Sequence, residues 1–480
     1  MIARRAWPHI LVLLCVGVGL RADAALLDRR LDAIFTDELL ASAAVGVLVV
    51  ETQIGKTLYE RYADRALLPA SNMKLVTSLA ALRFLGADFR YRTALCAAQA
   101  PDAEGRIAGD LYVRGSGDPA LTHEHLAEMA AALAEVGIRR ITGDIVADAS
   151  CFAGPPLGLG WPWNDETYAY SAQISGLGVD GNAVKAEVVG GSKPGEPCSL
   201  TLTPPSGYLT LDPECVTGAA DAKRPTVFRR RAQNVVATTG PVPPGRRISG
   251  VVTLEEPDLY AARLLQRALE DRGIGVQGVC RRSIAPKTAE VLASHESAPL
   301  ADLLTAMNVP SDNGIAEALL RSIPSAKGRP GTATEATGMI EGWLPEIGVR
   351  VQALRLCDGS GLSRLDLLTP RALVGVLRYA ATHPERGGPL VASLPVAGSN
   401  GTLARRMKGT PAEGRIRAKT GSLWGASSLS GYVMDGQECV LTFSILMNNY
   451  RCDGAAARKL QDRACVAMVR HVVAGRRAEG

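Results

Sequence analysis

The sequence predicts an α+β fold in which one antiparallel sheet is assembled from the two ends of the chain. Near the start, "AVGVLVVETQIGKTLYE" from Ala44 alternates in polarity around an "IG" turn, which indicates a β-hairpin. Near the end, "RIRAKTGSL", "SLSGYVM" and "CVLTFSILMNN" are typical of three strands, the last two joined around Asp435 and Gly436. Helical patterns lie between these groups, so we expect the terminal strands to share a sheet flanked by helices.

Two helices are predicted beside these strands. The stretch "SNMKLVTSLAALRFLG" has apolar residues at spacings of three or four and ends at Gly86, a typical helix stop. A final helix is predicted from Gly454 to Val473.

The middle of the chain predicts inserted β-rich subdomains. Residues 89–284 contain Gly- and Pro-rich segments between short β-like runs, and only "HEHLAEMAAALAEVG" reads as a clear helix. We therefore expect one or two small insertions over 89–284, with a discontinuous main domain over 25–88 and 285–480.

The first 24 residues have the pattern of a secretory signal. Arg4 and Arg5 precede a short apolar run, and "ADA" ends at Ala24. The run is too short to span a bilayer comfortably, so we expect cleavage after Ala24, a periplasmic protein and at most peripheral membrane association.

Composition narrows the function classes. The 480 residues are 47% hydrophobic and 21% charged with a net charge of +5, which predicts a globular protein without a nucleic-acid footprint. Nine cysteines remain after cleavage at Ala24, an odd number. Export makes pairs plausible, for example Cys198 with Cys215, or Cys439 with Cys452 or Cys465, but the sequence leaves the pairing open.

Three short motifs occur in a meaningful order. "SNMK" at 71–74, "SDN" at 311–313 and "KTG" at 419–421 match S-x-x-K, S-D-N and K-T-G, the signature of serine β-lactamases and penicillin-binding proteins. Alone, "SNMK" is better explained as a helix cap followed by a solvated lysine. All three motifs in order favour catalysis.

The residue types suit acyl transfer. The chain has ten lysines against 43 arginines, and only Lys74 has a serine three residues before it. A lysine amine can lose its proton, whereas an arginine cannot. On a helix Lys74 can reach Ser71, and the helix N-terminus favours an oxyanion.

The other two motifs suit substrate handling. Ser311 can relay a proton and Asn313 can hold a substrate amide, although "SDN" alone is an ordinary capping turn. In "KTG", an edge strand can align a peptide while Lys419 and Thr420 receive a carboxylate. Alone, Lys419 is equally an exposed strand lysine.

Other catalytic machinery is missing from the sequence. It has no G-x-S-x-G, C-x-x-C or H-E-x-x-H motif, so neither a metal nor another cofactor is expected. The two histidines of "HEH" at 123–125 point apart on a helix, and we expect them at the surface.

With these motifs, the chain resembles the class C low-molecular-mass penicillin-binding proteins, the D-alanyl-D-alanine carboxypeptidases and endopeptidases. "SGDPALT", "GWPWND", "DGSGLSRLDLLTP", "LPVAGSNGTLARRM" and "LSGYV" also look like segments of that family. The resemblance implies a penicillin-binding transpeptidase-like domain that acts on peptidoglycan stem peptides and cross-links and is acylated by β-lactams.

The resemblance also implies residue roles. Ser71 is then the nucleophile, Lys74 the general base and Ser311 part of the proton relay; Asn313, Lys419, Thr420 and Gly421 bind substrate. The N–H groups of Ser71 and Ser422 form the oxyanion hole. The positions of Asp148 and Arg364 match those that bind a diaminopimelate side chain, although Asp148 is equally a plain surface carboxylate.

Two other functions compete with this interpretation. A serine β-lactamase uses the same acylation, but the sequence lacks an E-x-x-L-N segment and has about 240 residues between "SNMK" and "SDN". A non-catalytic module that senses peptidoglycan has no need of Ser71 and Lys74, and both are present.

Overall fold

The computed structural model describes residues 25–221 and 223–479, so the predicted signal at 1–24 lies outside them. In chain order the α-helices are α1 (25–35), α2 (Met73–Phe84), α3 (His123–Glu135), α4 (Pro257–Asp271), α5 (Leu300–Asn308), α6 (Asn313–Ser325), α7 (Ala333–Trp343), α8 (Pro370–Thr382), α9 (Pro384–Ser393) and α10 (Gly454–Glu479). No helix among the described residues is long and apolar enough to cross a membrane.

The strands follow the order β1 (Ala44–Glu51), β2 (Thr57–Arg61), β3 (Arg92–Ala97), β4 (Arg106–Ile107), β5 (Leu111–Arg114), β6 (Arg140–Ile141), β7 (Ile145–Asp148), β8 (Ala183–Val189), β9 (Ser199–Thr203), β10 (Thr210–Leu211), β11 (Val227–Arg229), β12 (Val235–Thr238), β13 (Arg247–Thr253), β14 (Gly275–Val276), β15 (Cys280–Arg282), β16 (Glu290–Glu296), β17 (Ile416–Leu423), β18 (Ala426–Asp435) and β19 (Glu438–Asn448).

The described chain forms two compact units. The first contains residues 25–83, 304–311 and 340–479, and the second contains 84–303 and 312–339. The predicted insertion, 89–284, lies within the second unit.

The first unit is built on an antiparallel sheet in the order β17-β18-β19-β1-β2. Alternate residues of β1 face opposite sides: Val47 and Val49 join a core with α1 and α10, and Leu48 and Val50 pack with Val374 of α8. This alternation is the period-2 pattern read from the sequence. The prediction of an α+β fold whose sheet joins both chain ends is confirmed.

The second unit contains a five-stranded mixed sheet in the order β15-β7-β5-β3-β16 and three smaller sheets. One core connects α3 and α4 with the inward residues of these sheets.

Several predictions for individual elements were incomplete or wrong. Region 89–284 contains a second helix, α4, whose apolar face packs in the core beside α3, and the final helix continues past Val473 to Glu479. The nine described cysteines are all free, so none of the suggested disulfides forms.

The "HEH" motif lies partly at the surface, with the His123 and Glu124 side chains 37% and 64% exposed, but its histidines also make contacts that the sequence did not predict. His123 contacts Asp180 at 3.0 Å, and the ring of half-buried His125 stacks on that of His295 with centroids 3.8 Å apart.

Candidate active site

Ser71 lies in a tight turn that leads into a helix. Residues Ala70–Asn72 form a single 3₁₀ turn, and α2 continues from Met73. Ala70 has φ +47°, a left-handed conformation that costs a non-glycine residue about 1 kcal/mol or more. Gly361 packs against this turn so closely that an added Cβ would lie 1.9 Å from the Ala70 carbonyl oxygen. The turn is therefore held in place by tertiary packing.

Lys74 is the fully buried amine that contacts this serine. Its Nζ donates to Ser71 Oγ at 3.1 Å and to the carbonyl oxygen of Ser360 at 2.7 Å, and the residue has no solvent exposure. The i, i+3 spacing on consecutive turns allows the first contact. The alternative of a solvated lysine at this position was wrong.

The loop that carries Ser360 is ordered by a buried carboxylate that sequence reasoning missed. Asp358 accepts hydrogen bonds from the backbone N–H groups of Gly361 and Ser363, both at 2.7 Å, and from Ser360 Oγ at 3.2 Å. The same loop also binds the helix, since Thr77 Oγ1 donates to the Gly359 carbonyl at 2.7 Å. Asp358 therefore positions the carbonyl that receives Lys74.

A second buried carboxyl group, Asp366, faces Asp358. Its Oδ1 accepts a hydrogen bond from the Cys357 N–H at 2.7 Å. Its other oxygen, Oδ2, is buried and has no hydrogen-bond partner. Burial, followed by the charge and the side-chain hydrogen bond of Asp358, raises the pKa of Asp366 well above its ordinary value. In its protonated form, Asp366 can donate a hydrogen bond to Asp358.

Ser311 and Lys419 form a second hydroxyl–amine pair. Lys419 Nζ donates to Ser311 Oγ at 2.8 Å and to the Thr420 carbonyl at 3.0 Å, and Lys419 is fully buried. Ser311 has φ +70°, again a strained conformation for its residue type. Burial, and then the nearby charge of Lys74, lower the pKa of Lys419 well below its ordinary value. The two amines therefore lie close enough to influence one another.

Asn72 connects the first and third motifs, and sequence reasoning did not select it. Its Nδ2 donates to the Lys419 carbonyl at 2.8 Å, and its Oδ1 accepts from Ser430 Oγ at 2.6 Å. Gly421 lets the "KTG" strand lie close to the turn of Ser71, because an added Cβ would lie 2.8 Å from Ser71 N. The "KTG" strand therefore runs directly beside the nucleophile.

β17 is the edge strand of its sheet, as the sequence predicted. The Ala418 N–H donates to the Pro395 carbonyl on the side away from β18. Because backbone groups alternate along an antiparallel strand, those of Thr420 and Ser422 point to the same outer side. Thr420 Oγ1 donates to Thr402 Oγ1 at 2.8 Å. This edge can align an extended peptide and offer the Ser422 N–H to an oxyanion.

Three further predicted site residues, Asn313, Asp148 and Arg364, make hydrogen bonds to backbone groups. In the second unit, the Asn313 amide donates to the Tyr170 carbonyl at 2.8 Å, and Asp148 is buried, accepting the backbone N–H groups of Ser150 and Ala285. The alternative of a plain surface carboxylate at Asp148 was therefore wrong. In the first unit, exposed Arg364 donates to the Trp424 carbonyl at 3.2 Å.

The first unit thus brings together Ser71, Lys74, Ser311, Lys419 and the open edge of β17. A serine hydroxyl contacted by a buried amine, next to backbone donors for an oxyanion, is the arrangement of a serine hydrolase that works through an acyl-enzyme.

Comparisons with known proteins identify the family. The family described as D-Ala-D-Ala carboxypeptidase 3 (S13) matches residues 27–471, so the chain belongs to it. A D-alanyl-D-alanine carboxypeptidase of Actinomadura sp. is 40% identical over 98% of this chain and 91% of that protein. The carboxypeptidase DacB of Haemophilus influenzae is 30% identical over 86% of this chain and 87% of its own.

Solved structures agree with this assignment. Penicillin binding protein 4 (dacB) of Haemophilus influenzae matches with a TM-score of 0.81 and 28% identity, covering 90% of this chain and 97% of that one. A structure of the same protein complexed with a β-lactam matches with a TM-score of 0.75. The protein is therefore a serine-type D-alanyl-D-alanine carboxypeptidase, and the β-lactamase and binding-module alternatives are set aside.

Proposed function

We propose that the protein cleaves D-alanyl-D-alanine bonds and cross-links of peptidoglycan stem peptides, with Ser71 as its nucleophile. The observation that carries this proposal is the 3.1 Å contact between Ser71 Oγ and the fully buried Nζ of Lys74. Burial away from water disfavours the charged form of an amine, and a neutral amine can accept a proton from a hydroxyl.

Acylation begins when Lys74, in its neutral form, takes the Ser71 proton. Oγ then attacks the carbonyl carbon of the penultimate D-Ala, and the backbone N–H groups of Ser71 and Ser422 stabilise the oxyanion. The peptide C–N bond breaks as a proton passes through Ser311 to the leaving amine. Terminal D-Ala leaves in the carboxypeptidase reaction, and the cross-linked strand leaves in the endopeptidase reaction. Water attacks the resulting ester and regenerates Ser71.

Substrate alignment is assigned to the other predicted residues. Lys419 and Thr420 bind the terminal carboxylate, Gly421 leaves room for the peptide backbone, and Asn313 holds a substrate amide. The buried position of Lys419 supports this role, because a carboxylate compensates the cost of charging an amine away from water.

Covalent labelling tests the nucleophile. We expect a labelled penicillin to acylate the protein stoichiometrically, as the β-lactam complex of the related structure suggests, and mass spectrometry to place the adduct on the peptide containing Ser71. Ser71→Ala should abolish both labelling and D-Ala release from a pentapeptide muropeptide. Ser249→Ala, which changes an exposed serine of β13, is the control and should retain both. An adduct elsewhere, or D-Ala release by Ser71→Ala, rejects this nucleophile.

Asp148 and Arg364 are proposed to favour diaminopimelate-containing stem peptides. An ammonium group suits the Asp148 carboxylate, which keeps lone pairs beyond its two backbone N–H bonds, and a carboxylate suits the exposed Arg364 guanidinium. Asp148→Asn and Arg364→Gln should reduce kcat/KM for diaminopimelate peptides more than for lysine peptides. Equal losses on both peptides reject this role.

Export is proposed from the pattern of residues 1–24. Arg4, Arg5, the apolar run and "ADA" match a cleavable signal, and such a signal delivers the protein to the peptidoglycan compartment. N-terminal sequencing of protein from the periplasmic fraction should begin at Ala25. An uncleaved N-terminus rejects the signal.

A further inference from the structure

A cluster of histidines and carboxylates lies in the second unit, and the proposed reaction does not use it. His125 and Glu128 occupy positions i and i+3 on α3, and His295 is on β16. One ligand atom from each of these three residues lies within 4.8 Å of the other two. The rings of His125 and His295 are stacked with centroids 3.8 Å apart. Three possible metal ligands from a helix and a strand therefore converge.

An unpartnered buried carboxylate adds a fourth group. Asp118 has a side chain only 1% exposed, and its Oδ2 lies 3.9 Å from His295 Nε2 with no hydrogen-bond partner. The other oxygen, Oδ1, accepts the Ala120 N–H at 2.9 Å. An isolated carboxylate buried in this way is costly unless a proton or a cation neutralises it. The oxygen that lacks a partner is the one that lies 3.9 Å from His295 Nε2.

Ligation of a metal through Nε2 requires a change in the hydrogen bonds of His125. Its Nδ1 lies 3.1 Å from the Thr122 N–H and 3.3 Å from Thr122 Oγ1. When a metal binds Nε2, Nδ1 must carry the proton, and the Thr122 hydroxyl can accept it. A hydrogen-bond acceptor behind a ligating imidazole is the usual arrangement at metal sites. The change costs one capping bond of α3.

We propose that Asp118, His125, Glu128 and His295 bind a divalent cation of the zinc class. Two imidazole nitrogens and two carboxylate oxygens form a tetrahedral set that suits Zn²⁺ or Co²⁺, whereas Ca²⁺ and Mg²⁺ prefer oxygen ligands alone. Bonds of about 2 Å bring the donor atoms closer together than they are now, and the two imidazole rings, 24° from parallel, must rotate out of their stack so that both lone pairs point at one ion. The ion ties α3, β16 and the loop before α3 together, and it therefore acts on stability.

A neighbouring cluster provides a matched control. His123 lies two positions before His125 on α3, but its Nδ1 faces Asp180 at 3.0 Å and its Nε2 faces Glu124 at 3.1 Å. Both ring nitrogens are thus already engaged by carboxylates. We assign no metal to His123.

Titration with Co²⁺ tests the site on the whole protein, because tetrahedral Co²⁺ has intense visible absorption. The wild type should bind one equivalent with this spectrum, and Zn²⁺ should displace the Co²⁺ and raise the midpoint of thermal unfolding. His295→Gln should weaken Co²⁺ binding by at least about tenfold, whereas His123→Gln should bind like the wild type. Thermal unfolding without metal checks that each variant is folded.

Three results overturn the proposal. The first is a wild type that acquires no tetrahedral spectrum, and the second is unchanged Co²⁺ affinity in His295→Gln. The third is a near-ultraviolet thiolate-to-cobalt band, which places the ion on cysteines.

Discussion

The side-chain amide of Asn72 joins the strand of Lys419 to the turn of Ser71. Its Nδ2 donates to the Lys419 carbonyl oxygen at 2.8 Å, and its Oδ1 accepts from Ser430 Oγ at 2.6 Å, all in a buried setting. Because both ends of the amide are used, Asn72 fixes the distance between the "SNMK" turn and the "KTG" strand. The nucleophile and the proposed oxyanion donor of Ser422 depend on that distance.

Replacement of Asn72 should therefore damage both stability and acylation. Asn72→Asp keeps an acceptor for Ser430 but loses the donor to the Lys419 carbonyl, and an unpaired buried group costs about 1–3 kcal/mol. We expect a lower urea midpoint and slower acylation by labelled penicillin. Asn400→Asp, at an exposed asparagine, is the control. Wild-type acylation and stability in Asn72→Asp contradict this role.

Gly421→Ala should stop acylation through a steric clash. The added Cβ lies 2.8 Å from Ser71 N and 2.2 Å from Ser428 Oγ, so the strand must move away from the nucleophile. Gly388→Ala in α9 is the control, since nothing lies within 4 Å of its added Cβ. The measurement is the second-order acylation rate, and equal rates for the two variants reject the clash.

Lys419 should make stability depend on pH. In the folded protein the pKa of Lys419 lies well below its ordinary 10.5. At pH values between the folded and the unfolded pKa, the unfolded chain therefore binds more protons than the folded one, and the stability rises with pH. Lys419→Met removes the charge that burial disfavours and should unfold at higher urea than the wild type, most clearly below the folded pKa. It should also reduce acylation. Urea midpoints across a pH series test this, with exposed Lys408→Met as the control. Parallel pH profiles for Lys419→Met and the wild type contradict the expectation.

The Asp358–Asp366 pair should have the opposite pH dependence. The folded pKa of Asp366 is raised above its ordinary 3.8, so its stabilisation is complete below that value and is lost as pH rises through the folded pKa. Asp366→Asn can accept from Cys357 and donate to Asp358 at any pH, so it should exceed the wild type in stability at alkaline pH. Asp366→Leu removes both bonds and should destabilise by about 1–3 kcal/mol. Urea unfolding at several pH values distinguishes these outcomes, and a lower stability of Asp366→Asn at alkaline pH rejects the hydrogen bond from protonated Asp366 to Asp358.

The site residues that could be predicted from the sequence are those whose residue type the proposed reaction requires. Ser71 and Lys74 could be predicted because a helix brings positions three apart together, and β17 could be predicted as a strand from the pattern of "RIRAKTGSL". Asn72 and Asp366 were missed because their roles depend on partners 347 and 8 positions away, Lys419 and Asp358. The apolar face of α4 was missed although residues 257–271 contain no glycine and only one proline, at the first helical position, so its apolar spacing could have been found in the sequence. The roles of Asn72 and Asp366 depend on which side chains are buried together in the fold, and a linear sequence pattern does not show this.

The sheet of the first unit sets an order on folding. Thr52, just after β1, bonds to Thr442 of β19 across 390 positions, and β1 lies between β19 and β2 in the sheet. The larger part of the second unit, 84–303, is continuous and can fold without the two ends of the chain. The first hairpin must wait for β19, the last strand of the described chain, with the edge of β1 exposed in the meantime. Such long-range closure slows folding far more than it lowers stability. We therefore expect unfolded chains to depend on chaperones until β19 has paired with β1.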